Sequence, residues 1–560
     1  MRMSVGCWGR VAALASMGVG LVMVGVVGVG CSDNKSVPPP NDGSVDGPPT
    51  TDTAAPSADV ASGAETNGTE TGSPDVPVGP TSLTVVRTFT YRQISNLAAG
   101  PNAAPKLARA GTRIAYPIGP GTEDPATPNR IYVINADGTG NLEVDSYQTG
   151  CFCQSNVVIS DDGNTVVSTD STQVHVVGAD ASKKGVLKFS SNEVSDIAVS
   201  GDGSSVFMVH RRDNGIVGGS PVERGVWMMG ADGSNHHQIA GPTTVAGLLA
   251  TTPDKVFPFN GCGKSLEVSA SGARGIFAVH APDGDYAMTF EGATVRKLKG
   301  PVNFVKQVAI SADGLVVAVS SVAGTAEATE VMSFDGTGAR TVATEALGAS
   351  CFGTVTLNSD GSQQLSGDFG VVYPTAGGDP VPLYLLTAGD GMAVGGPWRD
   401  GAPQFSMSGT GKRASYLNSD DKNVWQLAIV DVDPANLGVA PTVAAASATI
   451  TSVPRDRSQG AVLSCRATAG AGTFVRGGTE VLVHGHVDHA GNWVAGMLPL
   501  RDDGMKGDPT ASDGTFTSDG AITAGDGAEI GARLIRLKFE STAAAGRQAT
   551  AIDVAGLSIK

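Results

Sequence analysis

Between residues 107 and 439, apolar and polar residues alternate with period two in short runs, and a turn of the form S-x-D-G interrupts them. The clearest copies are VVISDDGNTVVS, IAVSGDGSSVFMV, VAISADGLVVAVS and VTLNSDGSQQLSG. Asp-Gly between alternating runs predicts a hairpin, because Gly takes a positive φ without a steric penalty and Asp bonds its own backbone. Weaker copies bring the turn glycines to Gly111, Gly163, Gly203, Gly272, Gly314, Gly361 and Gly411, at successive spacings of 52, 40, 69, 42, 47 and 50 residues. A second hairpin follows inside several units, at Asp137-Gly138, Asp232-Gly233 and Asp335-Gly336. Each unit therefore holds about four short strands.

Four-stranded units at this period are the size of propeller blades. The paired turns resemble the TolB-type β-propeller repeat, best at Ser200, Asp202 and Gly203 with Asp232 and Gly233, and at Ser311, Asp313 and Gly314 with Asp335 and Gly336. The resemblance implies an all-β fold, an about seven-bladed β-propeller, with protein or peptidoglycan-associated partners in the cell envelope. The first, fourth and seventh copies lack the Asp, which leaves the count between six and eight. Residues 83–92 form a strand that belongs to no unit, and the last unit offers three strands before Pro434, so the first strand is expected to complete the last blade. Insertions at 119–129, 213–223 and 241–261 exceed hairpin loops; they are either the seat of binding specificity or neutral decoration.

Residues 441–560 read as a separate all-β domain, with strands near 445–453, 461–467, 481–487, 494–500, 532–540 and 549–559. The stretch from Arg501 to Phe516 resembles an Asp/Gly-rich loop of immunoglobulin-like domains in bacterial surface proteins, which implies a β-sandwich. Its Asp502, Asp503, Asp508 and Asp513 either bind Ca²⁺ or cap their own turns, and their spacing misses the D-x-D-x-D-G ligand ladder. His484, His486, Asp488 and His489 spell H-x-H-x-D-H and resemble the first metal cluster of metallo-β-lactamase-fold hydrolases. That resemblance implies Zn²⁺ held by His484, His486 and His489, with Asp488 on a second metal or acting as base. No histidine follows His489 to complete such a site, and period-two alternation over 481–487 reads equally as an exposed strand. Asn260 to Ser265, NGCGKS, lacks the first glycine of a phosphate-binding loop because residue 258 is Pro258.

Composition adds an address. Arg2 and Arg10 precede an apolar run over 11–30 and then Cys31, an export signal that resembles a bacterial lipoprotein signal (1–31) with Cys31 as the lipidated residue, although Gly28 stands where that family carries Leu. In that family a neutral Ser32 implies outer-membrane sorting. Residues 32–80 are Pro, Gly, Ser, Thr, Ala and Asp with almost no large apolar side chain, so nothing there offsets ordering entropy; they form an acidic tether before a propeller over 81–440. A net charge of −16 without a basic cluster argues against nucleic acid. Export makes Cys151, Cys153, Cys262 and Cys351 disulfide candidates, with free thiols or a reactive site as alternatives, and Cys465 the odd one out. The sequence thus describes a non-catalytic envelope or surface lipoprotein with no required cofactor, anchored to the membrane by lipid and binding a protein or envelope polymer. The alternative is an enzyme, either a metal-dependent hydrolase at the histidine cluster or a propeller-type lyase. No G-x-S-x-G elbow is present.

Overall fold

The computed structural model describes residues 81–560 except 83, 98–104, 119–127, 148–155, 170–172, 189–193, 212–214, 218–219, 223, 259–263, 324–325, 347–354, 367–370, 378–380, 383–404, 420–424, 432–440, 455, 457, 470–472, 486–493, 506–507, 519–520, 522–530 and 544–545. Seven antiparallel sheets follow one another along the chain. Six stand alone, with first strands at Lys106–Leu107, Asn156–Ile159, Val194–Val199, Leu266–Val268, Phe304–Ile310 and Val355–Leu357. The seventh begins at Phe405–Met407, runs through Arg413–Ser419 and Trp425–Asp431, and takes its fourth strand from Thr84–Leu97. The fold is an all-β propeller of seven blades, and the strand borrowed from the N-terminal side completes the last one as the sequence led us to expect.

The turn motif explains itself in atomic terms. All seven turn glycines adopt φ between +68° and +76°, where a Cβ would be strained. In the third blade the Ser200 hydroxyl donates to Asp202 Oδ1 at 2.8 Å and accepts from the Ser205 amide at 3.0 Å, while Asp202 Oδ1 accepts from the Ser204 amide at 2.9 Å. Ser160 with Asp162 and Ser311 with Asp313 repeat this arrangement. Ser and Asp thus satisfy the backbone donors that the reversal would otherwise strand.

Within the propeller the apolar clusters are each drawn from two neighbouring blades. Ile131 and Val144 of the first blade meet Val157 and Val166 of the second; Ile276 and Ala287 of the fourth meet Val308 and Val319 of the fifth. Ile114, Tyr116 and Ile134 of the first blade meet Leu417, Leu427 and Ile429 of the seventh, with Ile94 of the borrowed strand packed against them. The array therefore closes into a ring.

The C-terminal strands continue the sheet of the seventh blade. Thr84–Leu97 pairs with Trp425–Asp431 through residues 90–97, and on its other edge with Gly546–Ile559 through residues 84–92, so one sheet of thirteen strands runs from the seventh blade into the C-terminal region. Its far end is Thr81–Ser82 on Thr442–Ala448. Because Thr81–Ser82 and Thr84–Leu97 are neighbours in the chain, the C-terminal part of the sheet must roll until its far end returns beside Thr84–Leu97, over one core that includes Leu463, Cys465, Leu537 and Phe539. Val494–Arg501 passes from one side of the roll to the other, pairing with Thr473–Gly485 and then with Thr515–Ser518.

Candidate functional site: the central channel

Alternation of strand direction fixes what lies at each end of the propeller. The first strand of a blade runs toward its S-x-D-G turn, the second returns, and the third and fourth repeat the excursion. Both turn sets therefore share one end, which the bonds from Ala136 N to Thr112 O and from Ala231 N to Ser204 O confirm, at 2.8 and 2.9 Å. Loops between second and third strands, and connectors between blades, fall at the other end.

Backbone bonds join the blades in turn at the turn end. Ala110 N donates to Asp161 O, Asp162 N to Gly201 O, Gly201 N to Ala270 O, Ala270 N to Ala312 O, Asp313 N to Ser359 O, Ser359 N to Gly409 O and Gly409 N to Arg109 O, at 2.7 to 3.3 Å. This backbone circuit visits every blade and returns to its origin. At the position two before each turn glycine, the seven blades present Arg109, Asp161, Gly201, Ala270, Ala312, Ser359 and Gly409. Five are small, so only the first two project charge over the channel.

Arg109 spans the channel. Its Nε lies 3.5 Å from Asp161 of the second blade, and its Nη2 lies 3.5 Å from Glu267 of the fourth and donates to the Ile310 carbonyl of the fifth at 2.8 Å. Glu267 in turn pairs with Lys264 at 3.1 Å and accepts from the Ile310 amide at 3.0 Å. Asp196 of the third blade accepts from the Ser265 and Leu266 amides of the fourth at 2.6 and 3.0 Å, and Gln307 of the fifth accepts from the Val355 amide of the sixth. Channel polar groups mostly hold one blade to the next. Burial pushes Asp161 and Asp196 above the ordinary carboxylate range. Burial, then the like charge of Lys264, pulls Lys106 down to about 8.

A second fastening was legible in the sequence and was missed. The three copies without Asp carry an arginine two residues after the glycine: Arg113, Arg274 and Arg413. Each donates to the carbonyl of the next blade's turn glycine, Arg113 to Gly163 at 3.1 Å, Arg274 to Gly314 at 3.2 Å and Arg413 to Gly111 at 2.9 Å. Arg274 is anchored on Glu291 and Arg413 on Asp431 by paired bonds of 2.8 to 3.0 Å.

Two of the insertions belong to the opposite end, and that at 119–129 lies mostly outside the described residues. That at 213–223 forms a hairpin of Gly215–Val217 and Ser220–Val222. That at 241–261 contains the helix Pro242–Leu249, begun by proline at its first turn and ended by Ala250 in the left-handed region. Val245 and Ala246 are buried with Val209, Val226 and Phe277 between the third and fourth blades, so this insertion is partly core. From sequence this stretch is expected to be a loop.

Other expected site residues are placed as follows. Asp502 accepts from the Asp513 and Gly514 amides, Asp503 from Met505, Asp508 from Gly504 and Thr510, and Asp513 from Thr515, at 2.7 to 3.2 Å. The four carboxylates cap turns, and among the described residues no three His, Cys, Asp or Glu side chains converge as a metal site. His484 lies in the strand Thr473–Gly485 opposite Leu534. His486, Asp488, His489, Cys31, Cys151, Cys153, Cys262 and Cys351 lie outside the described residues. Cys465 is a free thiol buried in the C-terminal core. No helix among the described residues is long and apolar enough to cross a membrane.

No family model and no curated protein matches the chain. Among solved structures it is similar to the β-propeller domain of Cps50 (Swd1) from Myceliophteria thermophila, at 9% identity and TM-score 0.41 over 61% of this chain and 100% of that one. It is also similar to an oligogalacturonate lyase in complex with manganese, at 10% identity and TM-score 0.39 over 64% of this chain and 99% of that one. TolB from Acinetobacter baumannii follows at 11% identity and TM-score 0.32, over 58% of this chain and 65% of that one. The seven sheets and the circuit that joins them, rather than these similarities, establish the chain as a β-propeller.

Proposed function

We propose that the protein is a non-catalytic binding module of the cell envelope, exported by residues 1–31, anchored through lipid on Cys31 and carried on the acidic tether of residues 32–80. Its propeller (81–440) and an immunoglobulin-like sandwich (441–560) act together as a scaffold, with a protein or envelope polymer bound at the insertion end. The asymmetry of the propeller carries this reading. One end is built of tight turns bonded into a circuit, with Arg109 across the channel behind them; the other bears the two described insertions. Long loops on a rigid frame are where recognition concentrates.

Two exposed leucines offer a direct test. Leu248 stands on the insertion helix and Leu315 two residues past Asp313 of the turn circuit, 42% and 55% exposed. A photoreactive residue at 248 should trap an envelope partner in cells, and one at 315 should not. Trapping from 315 alone would overturn the reading. Separately, Cys31→Ser should move the protein from the membrane to the soluble fraction, and a membrane location that survives the substitution would remove the anchor.

A further inference from the structure

The register of one strand gives the molecule an axis. First and third strands of a blade run toward the turn end, so the fourth runs away from it. In the seventh blade that fourth strand is Thr84–Leu97, antiparallel to Trp425–Asp431, with Thr90 opposite Asp431 at the turn end and Leu97 opposite Trp425 at the insertion end. Arg92 agrees, since its guanidinium donates to the carbonyl of Ala136 at an outer turn of the first blade. Residues 84–89 therefore continue past the turn end, where Gly546–Ile559 takes them up, Thr84 opposite Ala555 and Phe89 opposite Ala551. At the usual rise per residue the 14 residues of this strand span about 45 Å. The C-terminal roll is thus joined beyond the turn end, and one strand runs from it to the insertion end.

The same register decides how a pull is felt. The chain of residues 32–80 joins the fold at Thr81–Ser82, on Thr442–Ala448, and leads directly into Thr84. A pull from that side against the insertion end is directed along the strand. Antiparallel ladder bonds lie across the strand axis, so this load falls on the bonds of both edges together. The contrasting geometry is also present. Lys560 follows Gly546–Ile559, whose Ala555 lies opposite Thr84, so a pull between residues 32–80 and Lys560 enters that ladder at one end and opens it pair by pair.

We propose that Thr84–Leu97 is a force-bearing spine, loaded in shear along both edges when the tether is pulled against a partner held at the insertion end. Its use in the cell rests on the anchored, insertion-end-binding reading above, whereas its geometry does not. Tension between anchor and partner would then be carried by the one strand that also completes the ring, and the weaker, pair-by-pair route would stay unloaded.

Single-molecule pulling on the purified full chain tests this with one handle at Ser73, in the tether, and the second placed in turn at Ser419 and at Lys560. Ser419 lies opposite Trp425, at the insertion end of the seventh blade. Rupture between Ser73 and Ser419 should need a severalfold higher force than rupture between Ser73 and Lys560. Equal forces, or a lower force with the handle at Ser419, would overturn the proposal. Should a handle at Ser419 prevent folding, one at Asn418, opposite Gln426, takes its place. Neither lipid nor partner enters the measurement, so its failure is distinct from failure of the Cys31→Ser fractionation or of trapping at residue 248.

Discussion

The Gly409 amide donates to the Arg109 carbonyl at 2.7 Å, joining the seventh blade to the first. This bond completes the circuit only because Thr84–Leu97 holds the seventh blade together, and that strand is paired on both edges. Tyr91 faces Val430 on one side and Ala549 on the other. Tyr91→Pro removes a backbone donor from the middle of the sheet and should cost about 3 kcal/mol or more. Chemical denaturation followed by circular dichroism should show the loss, with the seventh blade and the C-terminal roll unfolding together.

Turn glycines should differ according to what surrounds them. A Cβ on Gly203 would overlap Thr165 of the preceding blade, whereas one on Gly233 would meet nothing within 4 Å. Both glycines have positive φ, so Gly233→Ala should cost about 1 kcal/mol from backbone strain alone. Gly203→Ala should cost clearly more, and equal losses would refute the packing described at the blade junction.

The arginine fastenings should be unequal too. Arg413 neutralises Asp431, which is 1% exposed, while Arg113 bonds Asn164 at the surface. Arg413→Ala strands a buried carboxylate and should cost about 3–5 kcal/mol; Arg113→Ala should cost about 1 kcal/mol or less. Urea midpoints of the two variants give the comparison.

Stability should respond to pH in two windows. Hydrogen bonds from their own turns hold Asp137, Asp202, Asp232, Asp335 and Asp360 below the ordinary carboxylate range. Their contribution is complete above that range and is lost as pH falls through their folded values. The buried Asp161 and Asp196, raised instead, oppose folding as pH climbs just past the ordinary range. Lys106, lowered to about 8 against an ordinary lysine value of about 10.4, leaves the folded chain with fewer bound protons between those two values. Stability should therefore rise with pH across that interval, and Lys106→Met should abolish the rise. A Tm series against pH checks both windows.

Burial pushes the Cys465 thiol well above its ordinary value, so the thiolate that reacts is scarce in the folded state. Iodoacetamide should spare Cys465 in native protein and label it once denaturant opens the core. Labelling at equal rates in both states would place it outside the core.

The repeat was legible because its chemistry is local. Ser, Asp and Gly within four residues settle a turn, and the seven glycines read from that motif and its weaker copies all adopt the conformation the turn requires. The closing strand was legible because three strands without a fourth leave an edge. The join between propeller and C-terminal roll was hidden, since nothing in residues 84–92 reveals that both edges find partners. Arg113, Arg274 and Arg413 stood in plain view as substitutes for the absent Asp, but their acceptors lie in other blades and emerge only from the ring. The channel cluster was hidden for the same reason: Lys106, Asp196 and Glu267 are far apart in sequence and belong to different blades.

Hydrogen exchange at the Gly409 amide tests the closed ring most directly. Protection equal to that of the Gly201 and Ser359 amides is expected, because all three donate in the same circuit. Free exchange at Gly409 while Gly201 and Ser359 stay protected would mean a row of blades whose first and last members never join.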